Sequence, residues 1–328
     1  RGQQVVLVSS GAIAIGRRYL GLKKNQRRLE EHQAAAAAGQ VKLAHAYQDL
    51  FAKHDIKVAQ VLLTPDDTED RRRYLNARST LETLLELGAV PVVNENDTVA
   101  TAEIRYGDND RLAARVAEMA SAQCLVLLSD VAGLYDCDPR SNEDATLIRR
   151  VSEITPKLEA IAGESPTEFG SGGMVTKLAA ARICMSAGCA TVIASGKQLD
   201  PVQALEAGAD CTWFLPSAAP LAARKQWIAG GLTTRGVVSI DAGAEKALVQ
   251  GKSLLPVGVK GIEGQFRRGD AVVIKNASGQ DLGRGLSAYS AEAARIIMGK
   301  HSQEIEDLLG YWGSDEMIHR DDRVRREK

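Results

Sequence analysis

Gly170-Ser171-Gly172-Gly173-Met174-Val175-Thr176-Lys177 is a glycine-rich stretch that leads directly into the helical run Leu178-Ala179-Ala180-Ala181. Glycines allow a backbone to approach a ligand closely. The start of a helix directs free N–H groups and a positive dipole end at such a loop, which favours phosphate. Lys177 lies about one turn into the helix, where its side chain can reach an anion held there. The lysine spacing differs from that of a Walker A loop. A loop of this kind is more often a simple helix cap, so the phosphate interpretation depends on the rest of the chain.

Composition indicates an ordinary globular protein of roughly two domains, since the chain has 328 residues, 45% of them hydrophobic and 25% charged. The net charge of -1 provides no overall field that would attract nucleic acid or a membrane. No apolar run is long enough to span a bilayer, so a cytoplasmic location is expected. The five cysteines have no CxxC spacing, and Cys124, Cys184 and Cys189 are predicted to be buried thiols because they lie in or beside apolar runs.

Short apolar runs alternate with helical segments through the first two thirds of the chain. The predicted strands are Val5-Val6-Leu7-Val8 and residues 56–63, 89–93, 124–128 and 190–194. This alternation predicts a parallel sheet with helices on both faces, and ligands bind such sheets beyond the carboxyl ends of the strands. Three of the runs are followed by Ser9-Ser10-Gly11, Asn94-Glu95-Asn96-Asp97 and Ser129-Asp130. These polar groups are therefore expected at one edge of the sheet, although Ser10 could also serve as a helix N-cap.

A second domain is predicted after a change in composition near residues 229–231, where short strand-like runs separated by turns replace the earlier alternation. We expect the first domain to cover residues 1–232 and the second residues 235–316. Residues 317–328 are expected to form a charged tail that is frayed from His319 onward. Residues 66–73 are highly charged and are predicted to be a solvated loop or a helix start.

The acidic residues Asp97, Asp108 and Asp110 fit two interpretations. Aspartates commonly form turns and N-caps. Together with Lys177 and the glycine-rich loop they favour a phosphate-handling site. Phosphoryl transfer needs positioning and charge neutralisation more than acid–base catalysis, and none of these clusters contains a histidine. A carboxylate acceptor would already be nucleophilic at neutral pH.

The sequence resembles the amino acid kinase family in five segments, and it most resembles the members that phosphorylate L-glutamate at the start of proline biosynthesis. The segments are Val8-Ser9-Ser10-Gly11-Ala12-Ile13, Val93-Asn94-Glu95-Asn96-Asp97, Gly107-Asp108-Asn109-Asp110, Ser129-Asp130 and Gly172-Gly173-Met174-Val175-Thr176-Lys177. The later stretches Lys252-Ser253-Leu254-Leu255-Pro256-Val257-Gly258-Val259 and Gly264-Gln265-Phe266-Arg267-Arg268-Gly269-Asp270 are similar to a PUA domain. The resemblance implies an α/β fold, with a three-layer αβα domain on an open, mostly parallel sheet followed by a small, mostly-β PUA pseudo-barrel.

The resemblance also implies a reaction: the γ-phosphate of ATP, bound with Mg²⁺, is transferred to the side-chain carboxylate of L-glutamate. Lys177 would neutralise the moving phosphate, and Asp110 would organise the catalytic lysines. Asp97 would hold the substrate ammonium, and Asn94 and Asn109 would contact its carboxylates. Ser10 and Gly11 would line the same pocket. The implied nucleotide-binding residues are Ser129, Asp130, Ser171, Gly172, Gly173, Met174, Val175, Thr176 and Lys177. No residue is implied as a metal ligand. Proline inhibition and a homodimer or homotetramer are further implications.

One departure from the family pattern is the lack of a first strand carrying a second phosphate-binding lysine, because nothing before Val5 can supply it. We therefore expect the natural protein to be longer, and this chain alone to be poorly active. Two alternatives stay open. One is a related kinase acting on aspartate, N-acetylglutamate, carbamate or a nucleoside monophosphate. The other is an RNA-binding PUA protein with an inactive kinase domain, in which Arg267, Arg268 and Lys275 would form a basic patch; RNA binding is not expected.

Overall fold

The computed structural model describes residues 2–22, 28–99, 108–163, 173–230, 233–311 and 313–325. The chain divides into two compact units, Arg1–Ser217 and Ala218–Lys328.

The first unit alternates strands and helices, as the sequence predicts. Its elements in chain order are β1 (Leu7–Val8), α1 (Ala12–Tyr19), α2 (Leu29–Ala52), β2 (Val58–Leu63), α3 (Pro65–Glu69), α4 (Arg71–Glu86), β3 (Val90–Glu95), α5 (Asn109–Met119), β4 (Cys124–Ser129), β5 (Arg150–Val151), α6 (Pro156–Gly163), α7 (Met174–Ser186), β6 (Ala190–Ser195), α8 (Pro201–Glu206) and β7 (Cys211–Phe214). The predicted α/β class is confirmed.

The described strands of this unit form two hydrogen-bonded sheets rather than one. The first has the order β1-β3-β2 and is entirely parallel. The second has the order β4-β6-β7-β5, with β6 and β7 antiparallel and the other pairs parallel. Side-chain packing connects the two sheets, because α5 contacts β3 and β4 and Val8 packs against the hydrophobic clusters of both sheets. The described strands of this unit are therefore mostly parallel, as predicted, although they form two separately hydrogen-bonded sheets.

Two local predictions in this unit are wrong, namely the extent of β1 and the burial of Cys124. Strand β1 is shorter than the predicted run and only half-buried, since among the described strands it pairs on one side alone. For residues 66–73 the helix-start alternative is confirmed: Thr64 and Asp67 form a capping box on α3, and Asp70 caps α4, which begins at Arg71. Cys124 is exposed on β4, which lies at the edge of its sheet among the described strands, whereas Cys184 and Cys189 are buried as predicted.

Helices α1 and α2 cross with their backbones in contact. A Cβ atom on Gly39 would lie 1.7 Å from the carbonyl oxygen of Ala12, and one on Gly16 would lie 1.7 Å from that of Ala35. Any side chain at either glycine would therefore push the helices apart. This close crossing places the middle of α2 beside the turn that follows β1.

The second unit is a five-stranded sheet with helices. Its elements are α9 (Pro220–Gly230), β8 (Gly236–Ile240), α10 (Ala242–Val249), β9 (Val259–Gly264), β10 (Ala271–Lys275), β11 (Asp281–Leu286), α11 (Ala291–Ile297), α12 (Ile305–Leu309) and β12 (Arg323–Arg325). The strand order is β12-β11-β10-β8-β9, antiparallel except for the β8–β10 pair. Val238, Ile274, Ile297 and Met317 lie at the centre of its core.

The two units divide earlier than the predicted boundary near residue 233, because α9 packs within the second unit. Ile228 packs with Ala271 and Leu286, and the guanidinium of Arg224 pairs with Asp322. These contacts join residues far apart in sequence, so local composition gives no indication of them.

The predicted frayed tail is also wrong up to residue 325. Met317 and Ile318 are fully buried, and Ile318 bridges to Leu254. Arg323 belongs to β12 and donates through Nη2 to the Leu248 carbonyl oxygen at 2.7 Å and to that of Lys252 at 3.0 Å. The prediction failed because Arg323, in a charge-rich segment, is a buried hydrogen-bond donor to backbone carbonyl groups rather than a solvated surface charge.

Candidate active site

The amino-terminal turns of two helices, α5 and α7, meet in the first unit. Asp108 caps α5 by accepting from the N–H of Arg111 at 2.9 Å, and Gly173 occupies the cap position of α7. The helices pack through small side chains, Ala113, Ala114 and Ala117 on α5 and Ala180 and Ala181 on α7. Two positive helix ends therefore lie close together, a favourable setting for an anion.

Lys177 and Asp110 form an ion pair between these turns, although they are far apart in sequence. The Lys177 Nζ atom lies 2.9 Å from Asp110 Oδ2, and the two side chains are only 12% and 17% exposed. Thr176 Oγ1 donates to the same carboxylate oxygen at 2.7 Å. The carboxylate thus holds the lysine in one position, so that its charge is already placed at the helix ends.

A second polar cluster joins the carboxyl ends of β1 and β3 to α5. Asn109 donates through Nδ2 to the carbonyl oxygen of Ser9, and the same nitrogen lies 3.3 Å from Asn94 Oδ1. Asn94 is the penultimate residue of β3 and is buried, rather than in the loop after the strand. The structure therefore brings Asn94 and Asn109 together, and Asn109 directly precedes Asp110 in the first turn of α5.

The other predicted substrate residues lie at the same edge. Ser10 and Gly11 are exposed in the turn between β1 and α1. Ser10 is not the N-cap; Gly11 is, with φ of 93° and no side-chain cap. That positive φ suits glycine. Asp97 is half-buried in the turn after β3. At the N-cap of α5, burial raises the pKa of the Asp108 carboxyl, and the hydrogen bond from the Arg111 N–H partly offsets that rise.

A surface pocket adjoins Lys177 and contains part of the predicted nucleotide set: Ser129, Asp130, Gly173, Met174 and Lys177. Its wall is completed by residues that the sequence analysis did not select, namely Val131, Gly133, Leu134, Tyr135, Cys137, Asp138, Pro139, Arg140, Ile161 and Ala162. Val175 is 54% exposed and does not line the pocket. Thr176 contacts Asp110 instead. Ser171 and Gly172 lie outside the described residues.

Helix α2 contributes two side chains that the sequence analysis missed. Gln40 Oε1 accepts from Asn94 Nδ2 at 2.8 Å, and Tyr47 Oη lies 2.9 Å from Ser9 Oγ. They are seven residues apart and so lie on one face of the helix. The only local signal is Gly39, a glycine in the middle of an alanine-rich helix.

Within the described residues, no group of three or more His, Cys, Asp or Glu side chains is placed to hold a metal ion. No helix in the described parts of the chain has the length and apolarity needed to cross a bilayer.

Comparisons with known proteins show the family to which the chain belongs. A family model described as "Amino acid kinase family" matches residues 1–195, and a PUA domain model matches residues 236–309. A glutamate 5-kinase of Paramagnetospirillum magneticum is 62% identical over 324 residues, covering 99% of this chain and 87% of that protein. Glutamate 5-kinases of Rhodospirillum rubrum and Agrobacterium fabrum are 57% and 55% identical; each alignment covers 98% of this chain, and 86% and 83% of the respective relative.

Proposed function

The chain belongs to the glutamate 5-kinases of the amino acid kinase family, and from that premise we propose that it transfers the γ-phosphoryl group of ATP to the side-chain carboxylate of L-glutamate. The products are L-glutamyl 5-phosphate and ADP, and the reaction opens proline biosynthesis. The observation that supports this most directly is the Lys177–Asp110 pair between two helix starts, beside a pocket and a cluster of amides.

The reaction forms one bond and breaks one. An oxygen of the glutamate side-chain carboxylate attacks the γ-phosphorus, and the bond from that phosphorus to the bridging oxygen of ADP breaks. No general base is needed, because the carboxylate is ionised at neutral pH. Catalysis then rests on alignment and on neutralising the charge of the transferring group.

Lys177 is the residue that would supply this neutralisation. Its ammonium lies at the start of α7, where the helix dipole adds to its charge. Asp110 acts through the lysine and is a positioning residue, while Thr176 holds the carboxylate oxygen from the other side. Mg²⁺ enters as the ATP complex, and Asp110 is occupied by Lys177 and Thr176 rather than presented as a ligand.

The nucleotide would occupy the pocket bounded by Ser129, Asp130 and Gly173. L-Glutamate would lie toward the strand ends, with its ammonium on Asp97 and its carboxylates near Asn94 and Asn109. Ser10 and Gly11 would border it. Proline carries the same α-carboxylate and ammonium-type nitrogen, so we propose that it inhibits by competing with glutamate.

The test, run on the native-length protein and on this chain side by side, is acyl phosphate formation trapped as the hydroxamate by hydroxylamine, with ATP and L-glutamate, L-aspartate or N-acetyl-L-glutamate as acceptor. We expect product with L-glutamate alone, and loss of that product in Lys177→Met. Turnover of another acceptor in preference to glutamate would overturn the substrate assignment. Turnover that persists in Lys177→Met would overturn the site assignment.

A further inference from the structure

Gln40 is a buried amide whose hydrogen bonds are only half satisfied. Its side chain is mostly inaccessible, with 7% of the residue exposed. Its Oε1 atom accepts from Asn94, but its Nε2 atom is buried and finds no acceptor in the described structure. A buried donor without a partner is unfavourable. Such a group is expected where something outside the protein supplies the acceptor.

The orientation of the amide follows from a chain of contacts. The backbone N–H of Glu95 donates to Asn94 Oδ1 at 2.9 Å, so that atom must be the oxygen of Asn94. The other terminal atom of Asn94 is therefore the donor, and the atom of Gln40 that faces it must be an oxygen. The two N–H groups of Gln40 are consequently the unsatisfied ones. Exchanging the oxygen and nitrogen of Gln40 would place two donors against each other.

The fold places this amide at the substrate edge. Gly39 allows the backbone of α2 to touch that of α1 at Ala12, immediately after the predicted substrate residue Gly11. Gln40 also contacts Asn94, the penultimate residue of β3, which in turn contacts Asn109. Gln40 is therefore in contact with the amide cluster on which the proposed glutamate site is built.

We propose that Gln40 is a substrate-binding residue that donates its amide N–H to the α-carboxylate of the amino-acid substrate. This inference rests on the proposed function. The contacts run in a row from Lys177 to Asp110, then through neighbouring Asn109 to Asn94 and Gln40. The phosphoryl group moves at the Lys177 end, so the reacting side-chain carboxylate belongs there. The opposite end of the row is left for the α-carboxylate. The terminal torsion of glutamine is soft, so a small rotation suffices to direct the N–H at the ligand.

The decisive variant is Gln40→Glu, because it separates the two roles of the side chain. Glutamate is nearly the same shape and retains an oxygen to accept from Asn94, but it replaces the donor with a negative charge. Gln40→Met retains the length and loses both functions. Tyr47→Phe is the matched control: it removes a hydrogen bond from the same helix face, at Ser9 rather than at the proposed ligand contact.

Affinities for L-glutamate, L-isoglutamine and L-glutamine are measured by calorimetry, with ATP affinity and the thermal midpoint recorded for each variant. L-Isoglutamine has an amide in place of the α-carboxylate, and L-glutamine has one in place of the side-chain carboxylate. We expect Gln40→Glu to weaken L-glutamate binding by about 10- to 100-fold. Its preference should shift toward L-isoglutamine, whose amide can donate to the new carboxylate. ATP affinity and the Tyr47→Phe control should stay close to wild type.

The outcomes separate this inference from the proposed function. If the wild-type protein of native length forms no acyl phosphate from glutamate, the proposed function fails before Gln40 is considered. If wild type is active and Gln40→Glu binds L-glutamate normally while Gln40→Met does not, the side chain only supports Asn94 and the inference is wrong. A shift of preference toward L-glutamine instead would place Gln40 at the side-chain carboxylate and overturn the assignment to the α-carboxylate.

Discussion

Replacing Asp110 with asparagine tests whether the carboxylate holds Lys177 in its working position. One oxygen of Asp110 accepts from Lys177 Nζ at 2.9 Å and from Thr176 Oγ1 at 2.7 Å. Asparagine retains the shape and one acceptor oxygen, but it loses the negative charge. An unpaired ammonium in this mostly buried position is unfavourable, so the lysine is expected to leave it.

The size of the effect follows from these contacts. A hydrogen bond to a charged group contributes about 1.5–3 kcal/mol. The amide oxygen of the variant can still accept from both donors, but without the negative charge the bonds weaken by the equivalent of about one such bond. If that loss is felt in the transition state, kcat falls by about 10- to 150-fold. The KM for L-glutamate should change little, because Asp110 is not proposed to contact the amino acid.

The assay is steady-state hydroxamate formation, with ATP and L-glutamate varied in turn. Thr176→Val is the matched control: it removes the other bond to the same oxygen, leaves the ion pair, and should lower kcat by about tenfold or less. The reasoning is refuted if Asp110→Asn keeps wild-type kcat, or if its entire loss lies in the KM for L-glutamate. A loss in Thr176→Val larger than that in Asp110→Asn would also refute it.

Three predictions concern stability and are read by calorimetry or urea unfolding. Gly39→Ala should cost about 1–3 kcal/mol by forcing α1 and α2 apart, whereas Gly163→Ala, where a Cβ meets nothing within 4 Å, should be neutral or slightly stabilising; equal effects would contradict the close crossing. Arg224→Met removes the guanidinium that hydrogen-bonds to the Asp322 carboxylate and should cost about 1.5–3 kcal/mol, in the transition of the second unit; an effect confined to the first unit would contradict the placement of α9. Asp241→Ala removes the N-cap of α10 and should cost about 1 kcal/mol at neutral pH. The N–H bond from the first turn lowers the pKa of this carboxyl from 3.8, so its contribution is present above that value and is lost as pH falls through the folded pKa; a difference independent of pH would contradict this.

Local features of the sequence predicted the framework of the site well. Strand ends and helix starts depend on short-range signals, such as the apolar run before Ser129 and the capping aspartate at Asp108. Because parallel strands end at a common edge, these signals also predicted which edge carries the polar groups. The pairing of Asp110 with Lys177 was implied only by the resemblance, since no local rule brings together two residues that are 67 positions apart.

Long-range packing accounts for most of what was wrong. Helix α9 precedes the predicted boundary but packs against β11 and β12, and the charged tail includes a strand anchored by buried Ile318. Composition measures only what a segment contains. It gives no information about the distant segments that pair with the charged residues of that segment and pack against its apolar residues.

The substrate edge shows how a broken local rule can mark a site. A glycine within a helix costs about 1 kcal/mol relative to alanine, and Gly39 stands in a helix whose neighbouring positions are mostly alanine. Propensity alone therefore predicts alanine there. The structure supplies the compensation: without a Cβ, α2 approaches the α1 backbone closely enough to hold Gln40 against Asn94. Gly39 lowers helix stability, and the next residue, Gln40, has an unsatisfied buried amide. Two adjacent residues that both reduce stability are expected where the sequence is selected for binding rather than for folding.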